Sequence, residues 1–124
     1  MDPKRLLEEA QELQEWLRPI RRDLHQHPEL GFDMVYTKPF VKAKLEEMGY
    51  EVQECGKAGM YVYAGKESGR TILIRADMDA LPMQEEAEVE YKSLYPGKMH
   101  GCGHDMHTTM LLGAARLLKA HESE

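Results

Sequence analysis

Thr71-Ile72-Leu73-Ile74-Arg75-Ala76-Asp77-Met78-Asp79-Ala80-Leu81-Pro82 is the stretch on which the fold turns. Ile72, Leu73 and Ile74 form an unbroken apolar run without polar alternation, which predicts a strand over 71–76 covered on both faces. The run ends at two carboxylates one residue apart. In open α/β sheets, ligands gather at the carboxyl ends of strands. Asp77 and Asp79 are therefore candidates for orienting metal ligands or for acid–base work. The plainer alternative is a strand end whose aspartates cap N–H groups and pair with Arg75.

Upstream, Gly65 to Gly69 is turn chemistry, and Met60 to Ala64 is aromatic and β-branched, so these residues and 71–76 are expected to form a hairpin. Tyr50 to Cys55 alternates weakly and makes a third strand candidate. Before it, Thr37 to Met48 reads as a helix. Thr37 is its cap, Pro39 lies in its first turn, Gly49 stops it, and Val41, Leu45 and Met48 face inward. The first segment is also helical: Asp2 caps it, and Leu6, Ala10, Leu13, Leu17, Ile20 and Leu24 form one apolar stripe. Pro19 predicts a kink or break near Arg18, and Pro28 ends the helix near His27.

Downstream, Asp77 to Met99 reads as loop. Its Glu85, Glu86, Glu88 and Glu90 are expected to form a solvated face without chemistry. A last helix runs from Asp105, as cap, to about Lys119, with Met106, Met110, Ala114, Leu117 and Leu118 buried. Helices, then strands, then a helix around a buried strand make an α/β layered domain over residues 1–124.

The 124 residues suffice for one core. A net charge of −6 argues against nucleic-acid binding. No apolar run approaches the ~18 residues of a membrane span. Residues 1–22 lack a signal-peptide core, which predicts a cytoplasmic address. Cys55 and Cys102 make no disulfide framework there.

Chemistry concentrates in Met99-His100-Gly101-Cys102-Gly103-His104-Asp105-Met106-His107-Thr108. Imidazole, thiolate and carboxylate are the usual side-chain ligands of zinc and similar ions. Cys102 and His104 can reach one ion only if the backbone bends tightly, and Gly101 and Gly103 allow that. The alternative is a set of histidines that merely hydrogen-bond the helix start. His25-Gln26-His27-Pro28-Glu29-Leu30-Gly31 has metal-like spacing too, but reads as a helix exit with histidines as polar partners.

Together, Arg21 to Gly31, Arg75 to Pro82 and His100 to Thr108 closely resemble the amino-terminal part of a metal-dependent amidohydrolase family. It includes hippurate hydrolases, N-acyl-amino-acid and N-acetyldiaminopimelate deacetylases, auxin-conjugate hydrolases and thermophilic carboxypeptidases. The resemblance implies part of a three-layer α/β/α zinc-exopeptidase-like domain, without the smaller second domain that covers the site and often dimerises. It implies Cys102 and His104 as metal ligands, with Asp77 and Asp79 beside the metals in catalytic support. His100, Asp105 and His107 surround them. The ion is a divalent metal, zinc first, with manganese, cobalt or nickel as alternatives. The implied reaction is hydrolysis of the amide bond of an N-acyl amino acid or small peptide, with a glutamate as general base.

In that family the glutamate base and the further ligands belong to a stretch that would begin after Glu124. The isolated chain is therefore expected to be catalytically incomplete. The rival expectations are a metal-binding or self-associating module, or one part of a split amidohydrolase. Self-association is expected through Met106, Met110, Leu111 and Leu118, as a homo-oligomer that buries an open strand edge and helix face.

Overall fold

The computed structural model describes residues 1–124 as an α/β unit of four helices and one small sheet. The helices are α1 (Pro3–Glu12), α2 (Gln14–Gln26), α3 (Thr37–Glu47) and α4 (His104–Ala120). The strands β1 (Gln53–Cys55) and β2 (Gly59–Tyr61) pair antiparallel, with Gln53 opposite Tyr61 and Cys55 opposite Gly59. No helix is long and apolar enough to cross a membrane.

Asp2 caps α1 through a hydrogen bond from the Lys4 N–H, which satisfies one of the helix's free donors. The expected break near Arg18 falls at Leu13 instead, and α2 continues through Pro19. Leu17 before the proline lies against Gly113 of α4, and Ile20 and Leu24 after it are buried in the core that α2 shares with α4. That packing outweighs the one helical hydrogen bond that Pro19 cannot make. The apolar stripe read from the sequence is thus the face that docks α2.

The start of α3 differs in its cap. Thr37 is the first helical residue, not the cap. The Glu29 carboxylate accepts hydrogen bonds from the Tyr36 and Thr37 N–H groups at 3.0 and 2.6 Å. A remote carboxylate does what the local hydroxyl was expected to do, and its charge suits a helix N-terminus. Val41 and Leu45 face inward as expected, with Met48 packed beside them.

The core joins Ile20 and Leu24 of α2, Val41 and Leu45 of α3, Tyr50, and Leu112 and Ala115 of α4. The Tyr50 hydroxyl donates to the Ala115 carbonyl at 2.6 Å, which keeps its polar end satisfied inside the core. Burial pushes the Tyr50 phenol pKa up.

The largest departure concerns residues 71–76. They form no strand, and Ile72, Leu73 and Ile74 are 78%, 86% and 55% exposed. The expected hairpin with Met60–Ala64 is absent, and the hairpin joins β1 and β2 instead. A strand is defined by the neighbour that accepts its hydrogen bonds. No segment within residues 1–124 lies alongside 71–76 as a partner.

The inward face of α4 is also rotated from the expected one. Asp105, Thr108, Thr109, Leu112, Gly113 and Ala115 are buried, whereas Met106 and Met110 are 45% and 58% exposed. Polar residues carry this stripe because each has a partner. Thr108 Oγ1 donates to the Asp77 carbonyl at 2.9 Å and Thr109 Oγ1 to the Asp105 carbonyl at 2.7 Å. The first of these bonds fixes α4 to the end of the 71–77 segment. Residues 77–99 are loop as expected, with one bridge between Leu81 and Met99. The Ala80 N–H donates to the Glu29 carbonyl and the Leu94 N–H to the Gln26 carbonyl, which ties this loop to the exit of α2.

Candidate metal centre

The site is built where the 71–77 segment ends and α4 begins. Gly103 precedes α4 with a φ of 110°, a left-handed conformation that glycine adopts without strain. The turn it makes places His104 and His107 on the side of α4 that faces Asp77 and Asp79.

His107 Nδ1 donates to Asp77 Oδ1 at 2.9 Å, and His104 Nδ1 donates to Asp79 Oδ1 at 2.9 Å. His104 Nε2 lies 3.5 Å from Asp77 Oδ2. The two imidazoles stack with centroids 5.5 Å apart. One ligand atom each from Asp77, His104 and His107 falls within 4.8 Å of the others. Two imidazoles and a carboxylate are a donor set that suits a divalent transition metal, zinc included. Asp79 then orients His104 through its Nδ1–H, so that Nε2 faces the shared space. The His107 hydrogen bond, against partial burial, holds the Asp77 carboxyl below its usual range, with the charges of His104 and His107 adding to it.

Cys102 is exposed and lies outside this three-residue group. The geometry thus brings His104 together with His107 and both aspartates. Arg75 also approaches Asp77, at 3.6 Å.

On the opposite side of α4, Asp105 is 1% exposed. Its Oδ2 accepts from Arg21 Nε at 3.0 Å and from His25 Nδ1 at 2.8 Å. His25 Nε2 donates to Glu85 Oε1 at 2.6 Å, and Glu85 Oε2 accepts from the Ser93 N–H at 2.9 Å. Glu85 is 2% exposed. The sequence reading that places it on a solvated face is corrected, since the hydrogen bonds from His25 and the Ser93 N–H make its burial tolerable. Glu86, Glu88 and Glu90 are exposed as expected. The Asp105 hydrogen bond raises the His25 pKa against the opposing effect of burial, with Glu85 adding to it. Burial pushes the Asp105 carboxyl up, but the His25 hydrogen bond and nearby positive charges outweigh it, and its pKa is lowered.

His100 lies against this network, its ring centroid 6.3 Å from that of His25. It is 5% exposed, and neither ring nitrogen has a hydrogen-bond partner. Burial pushes its pKa down, toward a neutral ring. His27 behaves as a helix-exit residue: Nδ1 donates to the Asp23 carbonyl at 2.7 Å, and the ring stacks on Tyr36 at 3.8 Å. The buried Glu85–His25–Asp105 contact is what the sequence reading missed. Its only signal in the sequence is His25 lying one helical turn after Arg21 on an otherwise apolar helix face.

The sequence pattern of Peptidase family M20/M25/M40 matches residues 73–124. IAA-amino acid hydrolase ILR1-like 4 of Arabidopsis thaliana is 54% identical over 114 residues, covering 89% of this chain and 25% of that protein. The chain is a relative of the M20/M25/M40 peptidases. The hippurate hydrolase of Campylobacter jejuni is 49% identical over 115 residues, covering 91% of this chain and 30% of its own length. The crystal structure of the Bacillus subtilis YxeP protein, a dinuclear metal-binding peptidase of the M20 family, superposes with a TM-score of 0.83. It is 42% identical and covers 88% of this chain, which in turn spans 31% of it. The chain thus spans about a quarter to a third of the length of these relatives.

Proposed function

We propose that this chain supplies part of the metal centre of an amide hydrolase that acts on N-acyl amino acids or small peptides. The observation that carries the reading is the approach of Asp77, His104 and His107 to within 4.8 Å. The names of two similar proteins, an IAA-amino acid hydrolase and a hippurate hydrolase, support the substrate class. In this reading His104 is a metal ligand and Cys102, two residues before it, is a further donor. Asp77 and His107 complete the set. Asp79 supports the reaction by orienting His104, while His100 and Asp105 lie behind the ligand turn.

Zinc is the ion this donor set suits best, with manganese, cobalt or nickel as alternatives. When bound, such an ion polarises the scissile carbonyl and stabilises the charge that develops on its oxygen. The residues of this chain hold and orient. Of the acidic stretch, Glu85 is engaged with His25, and Glu86, Glu88 and Glu90 are exposed. None of them is placed as a general base, so the 124-residue chain alone is expected to be a poor catalyst. The setting we propose is cytoplasmic.

Cobalt(II) titration followed by visible and near-ultraviolet absorption tests the reading. One ion per chain is expected, with binding abolished by His104→Ala and a thiolate-to-cobalt band removed by Cys102→Ser. Undiminished binding by His104→Ala would overturn the centre, and a spectrum without a thiolate band would remove Cys102 from it.

A second reading rests on the exposed Ile72, Leu73 and Ile74 together with Met106 and Met110. Exposed apolar side chains of this kind favour self-association when they are buried together, with Leu111 and Leu118 on the same helix as the methionines. A homo-oligomer by light scattering at tens of micromolar is the outcome expected, and a monomer contradicts it.

A further inference from the structure

We propose that His25 is a positioning residue for the ligand turn of α4, acting through Asp105. The inference rests on the metal reading above, but its test does not depend on it alone.

The start of α4 has no side-chain cap, because Gly103 occupies that position. Something else must set how the first turn is rotated about the helix axis. His104, His107 and Thr108 reach Asp79 and Asp77 on the open side, and Asp105 is the residue of that turn held from outside the helix by buried groups. Its Oδ2 receives Arg21 Nε and His25 Nδ1, while its Oδ1 receives the Met106 N–H at 3.0 Å. Successive residues of an α-helix are turned by about 100°. Fixing the direction of Asp105 therefore fixes the directions of His104 and His107, which point to the other side.

His25 is held in turn. Its second nitrogen reaches Glu85, whose other oxygen is bound by the Ser93 N–H. The ring is thus a strut between the 85–93 loop and α4, buried at both ends. Arg21 makes the other outside contact to Asp105 Oδ2, but its side chain is 26% exposed where that of His25 is 5% exposed. Groups one step behind metal ligands orient them, and their loss typically weakens metal affinity about 10–100-fold.

The experiment compares the wild-type chain with His25→Gln and, as a milder change, Glu85→Gln. Circular dichroism confirms the fold, and Leu112→Ala serves as a control that loosens the core without touching Asp105. Two readouts are taken: cobalt(II) affinity with the position of the visible band, and ring ¹⁵N resonances of His104 and His107 in the metal-free chain. His25→Gln is expected to weaken cobalt binding by at least tenfold, shift the band and move both ring resonances. Leu112→Ala should leave the band in place. If His25→Gln does not fold, Glu85→Gln carries the test, with smaller changes in the same direction. Unchanged ring resonances and an unchanged band in a folded variant overturn the proposal. If the wild type binds no cobalt, the metal reading fails, and the ring resonances still decide whether His25 positions the turn.

Discussion

The first turn of α4 meets the same residue types on its two sides and uses them differently. Inward, Asp105 meets Arg21 and His25, and His25 meets Glu85, with the Asp105, His25 and Glu85 side chains nearly inaccessible to solvent. Outward, His104 and His107 meet Asp77 and Asp79, all partly open to solvent. Burial makes the difference. A buried imidazole between two carboxylates is locked, because breaking either contact strands a charge in a low-dielectric interior. An exposed one can exchange a carboxylate hydrogen bond for an ion without that penalty. The inward group therefore holds the helix, and the outward group is free to bind.

This contrast can be broken most easily at Glu85. Glu85→Ala leaves His25 without its second acceptor and is expected to destabilise the chain by about 3–5 kcal/mol, measured by denaturant unfolding. A loss below about 1 kcal/mol would mean the network holds nothing. Zinc binding sharpens the other side. Zinc at one hundred times its dissociation constant should stabilise the chain by about 2.7 kcal/mol, seen as a rise in Tm that chelator reverses and Asp77→Ala abolishes.

The pH dependence of stability separates the two groups further. The His25 pKa is raised above its ordinary 6.5, so its contribution is complete below that value and is lost as pH rises through the higher folded value. The Asp105 and Glu85 values are lowered. At Glu85 burial opposes the shift, and the Ser93 N–H and His25 outweigh it. Their contribution is present above the ordinary carboxylate range and is lost as pH falls through the depressed values. Thermal unfolding should therefore show highest stability between about pH 4.5 and 6.5 for this network. His25→Gln should flatten the alkaline side, and an alkaline side unchanged by it would contradict the assignment. The smallest effect is expected on the exposed side without metal, where Asp77→Ala should change stability by no more than about 1 kcal/mol.

The residues of the outward group stand out in the sequence because their chemistry is local, although that reading pairs His104 with Cys102 and the structure groups it with His107 and Asp77. His104 and His107 lie within four residues, and Asp77 and Asp79 end the most apolar run in the chain. The inward group was not legible. Glu85 sits in an acidic stretch whose other members are exposed, and only the fold brings it 2.6 Å from a histidine 60 residues away. The rotation of α4 was missed for a related reason. Its buried stripe is carried by Asp105, Thr108 and Thr109, whose burial depends on partners that hydropathy cannot reveal. At 71–76 the pattern of a covered strand was read from the residues, yet strand pairing is a property of two segments, and no partner lies within residues 1–124. By contrast, the stripe of α2 and the inward residues Val41 and Leu45 followed directly from helical spacing.

The division of labour across α4 is tested most directly by anomalous diffraction at the zinc edge from crystals of the zinc-loaded chain. An anomalous peak is expected between the side chains of Asp77, His104 and His107, with the Asp105–His25–Glu85 contacts intact behind it. A peak on His25 or His100 instead, or zinc-loaded crystals with no peak near His104, would contradict it.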